Sequence, residues 1–119
     1  MARVLLVDDQ SAVSEAAGRL LRSRGYSVTI AWGCDEARLL SVGSYFHIGL
    51  IGLPLQDGRA LGCALMLRRL GVVEDLVFLT GGAAPEAIEA ARRMGPVIEK
   101  HAFQTLLRTL AEVRTGGAA

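Results

Sequence analysis

The sequence is poor in lysine, aromatic residues, proline and cysteine. Aromatic residues make up 5% of the chain, and there are only 3 prolines and 2 cysteines. Cys34 and Cys63 lie far apart in the sequence and lack the spacing of metal ligands, so the sequence suggests neither a disulfide framework nor a zinc site. With 13 basic and 12 acidic residues the net charge is +1, so the chain lacks the strong field expected of a protein that binds nucleic acid or an anionic membrane.

The sequence also lacks a long hydrophobic run and a signal peptide, since two aspartates fall within the first ten residues. It therefore predicts a soluble, cytoplasmic protein whose two cysteines are buried thiols in a reducing compartment. A length of 119 residues, 51% of them hydrophobic, is enough for one domain with a single core and too short for two.

What is present is an alternation of short apolar segments with amphipathic helical windows. The predicted strands are 4–7, 28–31, 48–51, 76–79 and 96–99, and the predicted helices are 11–24, 35–42, 59–70, 85–94 and 103–114. Strands without polar alternation are covered by helices on both faces, so the pattern predicts a parallel α/β sheet of five βα units.

Polar residues follow several of these predicted strands. Asp8 and Asp9 follow the first strand, Gly52 the third, Thr80 the fourth and Lys100 the fifth. Because ligand sites of open α/β sheets collect at the carboxyl ends of the strands, two carboxylates, a hydroxyl and an ammonium should converge on one edge.

These segments in combination resemble the receiver domain of bacterial two-component response regulators. The matching stretches are VLLVDD at 4–9, LPLQDG at 53–58, LTGG at 79–82 and IEK at 98–100. The resemblance covers residues 2–114 and implies a CheY-like, flavodoxin-like fold: a doubly wound three-layer sandwich with strand order 2-1-3-4-5. We expect a receiver domain over residues 1–114 and a flexible tail or the start of a linker over 115–119.

The resemblance also implies a role for each strand-end residue. In the family an acid pair holds Mg²⁺, an aspartate at the end of the third strand is phosphorylated, and a hydroxyl and a lysine contact the phosphoryl group. Asp8 and Asp9 match the acid pair, Thr80 the hydroxyl and Lys100 the lysine. Lys100 is the only lysine in the chain, and a compact ammonium suits a tight phosphate pocket better than a planar guanidinium.

The departure from the family lies at the phosphoacceptor. One register of the third strand places Gly52 there and is preferred because it gives a complete strand, while a second register places Leu50 there. Neither side chain can carry a phosphate, and Asp57 is the only nearby carboxylate that could substitute. With one oxygen ligand missing, we expect Asp8 and Asp9 to bind Mg²⁺ weakly at best.

Two further expectations concern the surroundings of the pocket. Lys100 is followed by His101 instead of the usual proline, so their peptide bond should be trans and the lysine displaced; it should pair with Asp8 or Asp9. His47 and His101 should lie at opposite ends of the sheet and share no metal site.

The sequence thus predicts a non-enzymatic pseudo-receiver that works in phosphorelay signalling through protein–protein interaction. Its partner would be a sensor histidine kinase or an output domain, without nucleic acid or membrane, and a homodimer is left open. Two alternatives stand: a phosphorylatable receiver represented by a variant that lost its acceptor, and a flavodoxin-like small-ligand binder. The second is disfavoured because Asp8 and Asp9 follow the first strand where such a binder has a glycine-rich phosphate loop.

Overall fold

The computed structural model describes residues 2–114 of the chain, and the predicted tail at 115–119 lies outside them. Strands and helices alternate through this range, as the hydrophobic pattern predicts. The strands are β1 (Arg3–Val7), β2 (Ser27–Ala31), β3 (Phe46–Leu53), β4 (Val73–Thr80) and β5 (Val97–Glu99). The helices are α1 (Ser11–Ser23), α2 (Cys34–Ser41), α3 (Ala60–Arg69), α4 (Pro85–Arg92) and α5 (Phe103–Arg114).

All five strands are parallel, and their order across the sheet is β2-β1-β3-β4-β5. This confirms the predicted strand order. The inner strands β1, β3 and β4 carry long apolar runs because both of their faces are covered by helices.

Two apolar cores lie on opposite faces of the sheet. One contains buried residues of α2, α3 and α4, among them Ala37, Leu67 and Ala91. The other contains residues of α1 and α5, such as Leu21 and Leu110. The molecule is therefore a three-layer sandwich, and within residues 2–114 no helix is both long and apolar enough to cross a bilayer.

The third and fourth strands are longer than the sequence predicts, and this changes the position of two site residues. Gly52 and Thr80 were expected to follow their strands, but both lie inside them, in register with Leu79 and Glu99 respectively. The reason is pairing between strands: Gly52 pairs with Leu79 of β4 and Thr80 with Glu99 of β5, so the ladder continues even through a glycine, which has low strand propensity of its own.

Candidate functional site

The candidate site lies where the carboxyl ends of four strands meet. The register of Val7 with Ile51 brings Asp8, the residue after β1, alongside Gly52 of β3. Thr80 ends β4 beside Leu53, and the backbone N–H of Lys100 donates to the carbonyl of Thr80 at 3.0 Å. The topology therefore brings Asp8, Gly52, Thr80 and Lys100 to one edge of the sheet.

A buried ion pair joins the two ends of this site. Lys100 Nζ lies 3.4 Å from Asp8 Oδ1, and the side chains of Lys100 and Asp8 are 4% and 0% exposed. The predicted pairing of Lys100 with an aspartate is present, and Asp8 is the partner. The Lys100–His101 peptide bond is trans, since the Leu53–Pro54 bond is the only cis bond in residues 2–114. With this trans bond, the long stem of Lys100 still brings Nζ into the pocket.

Gln10 completes the cation's surroundings, and the sequence reasoning missed it. Lys100 Nζ donates to Gln10 Oε1 at 2.9 Å, while the backbone N–H of Gln10 donates to Asp8 Oδ1 at 3.2 Å. The only available signal was its position directly after the acid pair. Gln10 therefore shares the ammonium with Asp8 and also supports the carboxylate that faces it.

Gly52 has no room for a side chain beside this pair. A Cβ atom built on Gly52 would lie 2.9 Å from Asp8 Oδ1 and 3.0 Å from Asp8 Cγ, closer than real Cβ contacts allow. The Asp8 carboxylate thus occupies the space next to the bare backbone of β3. Leu50, the other acceptor candidate, is fully buried in the core beneath α1 and α5, so Gly52 is the β3 residue that borders the site.

The stem of Lys100 passes over the loop that follows β4. A Cβ atom built on Gly81 would lie 3.1 Å from Lys100 Cδ. Glycine at this position therefore leaves space for the lysine to cross the loop and reach Asp8. The Thr80 hydroxyl and Asp8 Oδ2 are also buried in this region, and neither oxygen has a hydrogen-bond partner.

The other two carboxylates of the predicted site hold loops in place. One oxygen of Asp9 accepts a short hydrogen bond from the backbone N–H of Gln56, which ties the loop after β1 to the loop after β3. Asp57 is exposed and accepts from the backbone N–H of Arg59 at 2.9 Å, just before α3 begins. Asp57 therefore supports the start of a helix, and its contacts are away from Lys100.

The residues present do not fit a tightly bound Mg²⁺ ion. Mg²⁺ requires oxygen ligands in nearly octahedral geometry, usually one or two available carboxylates together with waters or phosphate oxygens. Here Asp8 Oδ1 faces an ammonium, one Asp9 oxygen is held by Gln56, and Gly52 supplies none. In residues 2–114 no group of three or more His, Cys, Asp or Glu side chains is placed to hold a metal ion.

The remaining candidate residues are not part of this site. His47 lies at the other end of the sheet, where its Nδ1 accepts a hydrogen bond from the backbone N–H of Arg3 at 3.0 Å. It therefore cannot share a site with His101. Cys34 and Cys63 are free and buried, as predicted. Burial, and then a hydrogen bond with Cys34, raises the pKa of the Cys63 thiol, which makes a reactive thiolate unfavourable.

No family model matches the chain. A 98-residue stretch, 78% of this chain, is 38% identical to the tetrathionate response regulatory protein of Salmonella typhimurium and spans 46% of that protein. A CheY-like response regulator receiver domain protein from Methanospirillum hungatei superposes with a TM-score of 0.88 at 23% identity, covering 99% of this chain and 97% of that one. The chain is a response regulator receiver domain.

One solved structural relative of this receiver domain carries a phosphorylated aspartic acid. A response regulator from Burkholderia pseudomallei, solved with a phosphorylated aspartic acid and a calcium ion, superposes with a TM-score of 0.81 at 26% identity. The alignment covers 99% of this chain and 74% of that one. The receiver domain itself spans less than half the length of the curated relative from Salmonella.

Proposed function

We propose that this receiver domain is a pseudo-receiver, which takes part in two-component signalling through protein–protein contacts and is not phosphorylated by the aspartyl route. The observation that carries the proposal is the arrangement around Gly52. The acceptor position bears no carboxylate, and the neighbouring Asp8 carboxylate lies only 2.9–3.0 Å from the place that a Cβ atom of residue 52 would take.

The charge balance of the pocket supports the same proposal. In a phosphorylatable receiver, the lysine and the metal face an incoming phosphoryl group. In this domain the Lys100 ammonium is already matched by Asp8 and by the side-chain oxygen of Gln10. An anion entering the pocket would have to displace a buried carboxylate from its counterion, which is unfavourable in a region with little water.

A receiver that cannot switch by phosphorylation acts through its surface. We propose a sensor histidine kinase or an output domain as the partner, since both classes bind receivers in two-component systems. No catalytic role is assigned to Asp8, Asp9, Thr80 or Lys100.

The decisive experiment treats the domain with acetyl phosphate and Mg²⁺ and measures its intact mass. Because position 52 has no carboxylate, we expect no gain of a phosphoryl mass under conditions that phosphorylate a receiver with an acceptor aspartate. Gly52→Asp is the matched variant: if it becomes phosphorylated, the rest of the pocket is competent, as expected for recent loss of the acceptor. A phosphoryl adduct on the unaltered domain, at Asp57 or elsewhere in the pocket, would overturn the proposal.

A further inference from the structure

The second helix has its small residues inside and its large apolar residues outside. The buried residues of α2 are Cys34, Ala37 and Ser41. Its outward side carries Leu39, which is 74% exposed, and directly after the helix lies Val42, which is 78% exposed. Surface helices of isolated domains normally show the opposite arrangement, with the large apolar side chains facing the core.

The exposed apolar side chains of the domain are concentrated in one part of the chain. In residues 2–114, every large hydrophobic side chain that is exposed lies between positions 32 and 70. They are Trp32, Leu39, Leu40, Val42, Tyr45, Leu65 and Leu70. Helices α1, α4 and α5 contribute none of them within the described range. Three of them, Leu39, Val42 and Leu70, also come together in space, because they line two adjoining depressions of the surface. Apolar exposure that is contiguous in space marks an interaction surface more often than scattered single residues do.

Part of this surface forms a groove between the end of α2 and the end of α3. The groove has a volume of about 340 Å³ and is lined by Arg38, Ser41, Val42, Gly43, Leu70 and Val72. A second depression of about 390 Å³ continues along α2 past Asp35 and Leu39. We call the two together the α2–α3 groove. Asp35, Arg38, Leu39 and Val42 line it at helical spacing, so the groove runs along one side of α2, and such a face suits another helix better than a compact small molecule.

The acidic and basic side chains near the groove differ in whether they are paired. Asp35, the only acid among the described residues that line the groove, pairs with Arg59 at 2.9 Å. Glu36 and Glu74 accept hydrogen bonds from the Trp32 backbone N–H and the Tyr45 hydroxyl and keep their charge, but neither lines the groove. Within residues 2–114, Arg38, which lines the groove, has no ion-pair partner, and neither has Arg69, which precedes Leu70. The groove therefore presents apolar side chains together with free positive charge.

We infer that the α2–α3 groove docks an amphipathic helix of a partner protein, with apolar side chains entering the groove and acidic side chains facing Arg38 and Arg69. A second copy of the domain fits less well, because a two-fold axis through the groove would place Arg38 near its own symmetry mate. An anionic membrane also fits less well, since two arginines in a concave surface of a domain with a net charge of +1 give little attraction.

The inference deepens the proposed function, because it assigns a surface to the interaction module. The test uses a synthetic amphipathic helix of about 15 residues with leucines spaced for one face and glutamates beside them. A matched peptide has lysine in place of each glutamate. Binding is followed by NMR through the amide chemical shifts of the domain.

The glutamate peptide should shift amides at Val42, Gly43 and Leu70, and the lysine peptide should bind at least about tenfold more weakly. Val42 is exposed, so Val42→Ser should leave the fold intact. This substitution should weaken binding of the glutamate peptide by a similar factor. Leu65→Ser, an exposed leucine of α3 outside the groove, is the matched control and should bind as the unaltered domain does.

The inference is wrong if the glutamate peptide shifts no groove amide, if both peptides bind equally, or if Val42→Ser has no effect. Two other outcomes would also overturn it. A concentration-dependent dimer abolished by Val42→Ser would assign the groove to a second copy, and binding to phosphatidylserine vesicles abolished by the same change would assign it to a membrane. Failure of the peptide leaves the acetyl phosphate result untouched, so the two proposals fail separately.

Discussion

Lys100 is the residue on which the pocket depends. It is the only lysine of the chain, and both it and Asp8 are almost completely buried. A buried charge requires a counterion and hydrogen bonds, and here Asp8 supplies the first and Gln10 the second. The compact ammonium can approach both oxygens past Gly81, where a planar guanidinium would need more space.

Removing the ammonium should therefore destabilise the domain. Lys100→Met leaves the Asp8 carboxylate buried without a counterion, and we expect the free energy of unfolding to fall by about 3 kcal/mol. Urea denaturation at neutral pH measures it. Since the pair is shielded from solvent, the loss should change little with salt.

A double-mutant cycle separates this pair from general packing. Asp8→Asn combined with Lys100→Met removes both charges, so the double variant should recover on the order of 1–3 kcal/mol relative to the sum of the single losses. Arg59→Met, which breaks the exposed pair with Asp35, is the matched control and should leave the urea midpoint nearly unchanged. Strict additivity at Asp8 and Lys100 would mean that the pocket is not held by this ion pair.

The second prediction at this scale concerns Gly52. A side chain there must push the Asp8 carboxylate away, so Gly52→Ala should lower the melting temperature. Gly52→Asp should do so as well, because it adds a third carboxylate to Asp8 and Asp9. Mg²⁺ can be coordinated by the added carboxylate and neutralises part of its charge. It should therefore raise the melting temperature of Gly52→Asp and leave the melting temperature of Gly52→Ala unchanged. An equal response to Mg²⁺ in both variants would mean that the acid pair no longer forms a metal site.

The sequence indicated most of these residues, but not their arrangement. Asp8, Thr80 and Lys100 could be identified because they lie at or directly after the ends of recognisable strands within a familiar motif. Gln10 could not, since a glutamine in a loop carries no signal until its amide oxygen is seen next to Nζ. The close approach of Asp8 to Gly52 likewise depends on the rotamer of Asp8 and on the distance between two backbone segments. A pattern of residue types contains neither.

At the scale of elements, the prediction succeeded where the hydrophobic pattern is local and was less accurate at strand ends. Helix α5 begins and ends as the periodicity predicts, at Phe103 and Arg114. Strand β3 extends beyond the predicted 48–51 to include Phe46 at its start and Leu53 at its end. Those added residues pair with β4 across the sheet, and the partner strand is distant in sequence. The local sequence therefore could not reveal where the ladder stops.

Strand β5 has only three residues, and its position depends on close backbone packing. A Cβ atom built on Gly95, which lies between α4 and β5, would be 2.0 Å from the carbonyl oxygen of Leu76 in β4. We expect Gly95→Ala to destabilise the domain by about 2–3 kcal/mol, because the segment leading into β5 must move off β4. Thermal unfolding measures the loss, and because Lys100 directly follows β5, amide shifts near Asp8 should change as well.

Gly62 provides the matched control for this prediction. It lies within α3, it is exposed, and a Cβ atom built on it would meet no atom within 4 Å. Gly62→Ala should therefore stabilise the domain by about 0.5–1 kcal/mol through better helix propensity. If the two alanine variants had equal stabilities, the tight contact of Gly95 with Leu76 would not exist in solution.

At the scale of the whole molecule, the sheet separates two apolar cores, and the ion pair and the groove are formed by different sets of residues. The ion pair of Asp8 and Lys100 lies at the carboxyl edge, while the α2–α3 groove is lined by residues at the end of α2 and around the end of α3. Strands without polar alternation predicted that helices cover both faces. They could not predict that α2 faces outward with its leucines, because a run of apolar residues does not say which side is buried.

The last prediction concerns how the stability of the whole domain depends on pH. Burial, and then the nearby charge of Glu74, raises the pKa of Asp75 above 3.8, while Arg68 lowers it in part. A carboxyl group whose pKa is higher in the folded state binds its proton more tightly there, so stability falls as pH rises from about 3.8 through the raised value. Asp75→Asn removes this loss. Because Asp75 is only half-buried, the gain should be small.

Thermal melts of Asp75→Asn and the unaltered domain should therefore diverge above about pH 4 and coincide near pH 3, where the aspartate is protonated in both folded and unfolded chains. Glu86→Gln is the contrasting control. Glu86 lies in the first turn of α4, where a carboxylate interacts favourably with the helix dipole, so its removal should lower stability at neutral pH. If Asp75→Asn instead lowered the melting temperature at pH 7, the Asp75 carboxylate would be stabilised by Arg68 more strongly than it is penalised by burial, and the sign of its pKa shift would be reversed.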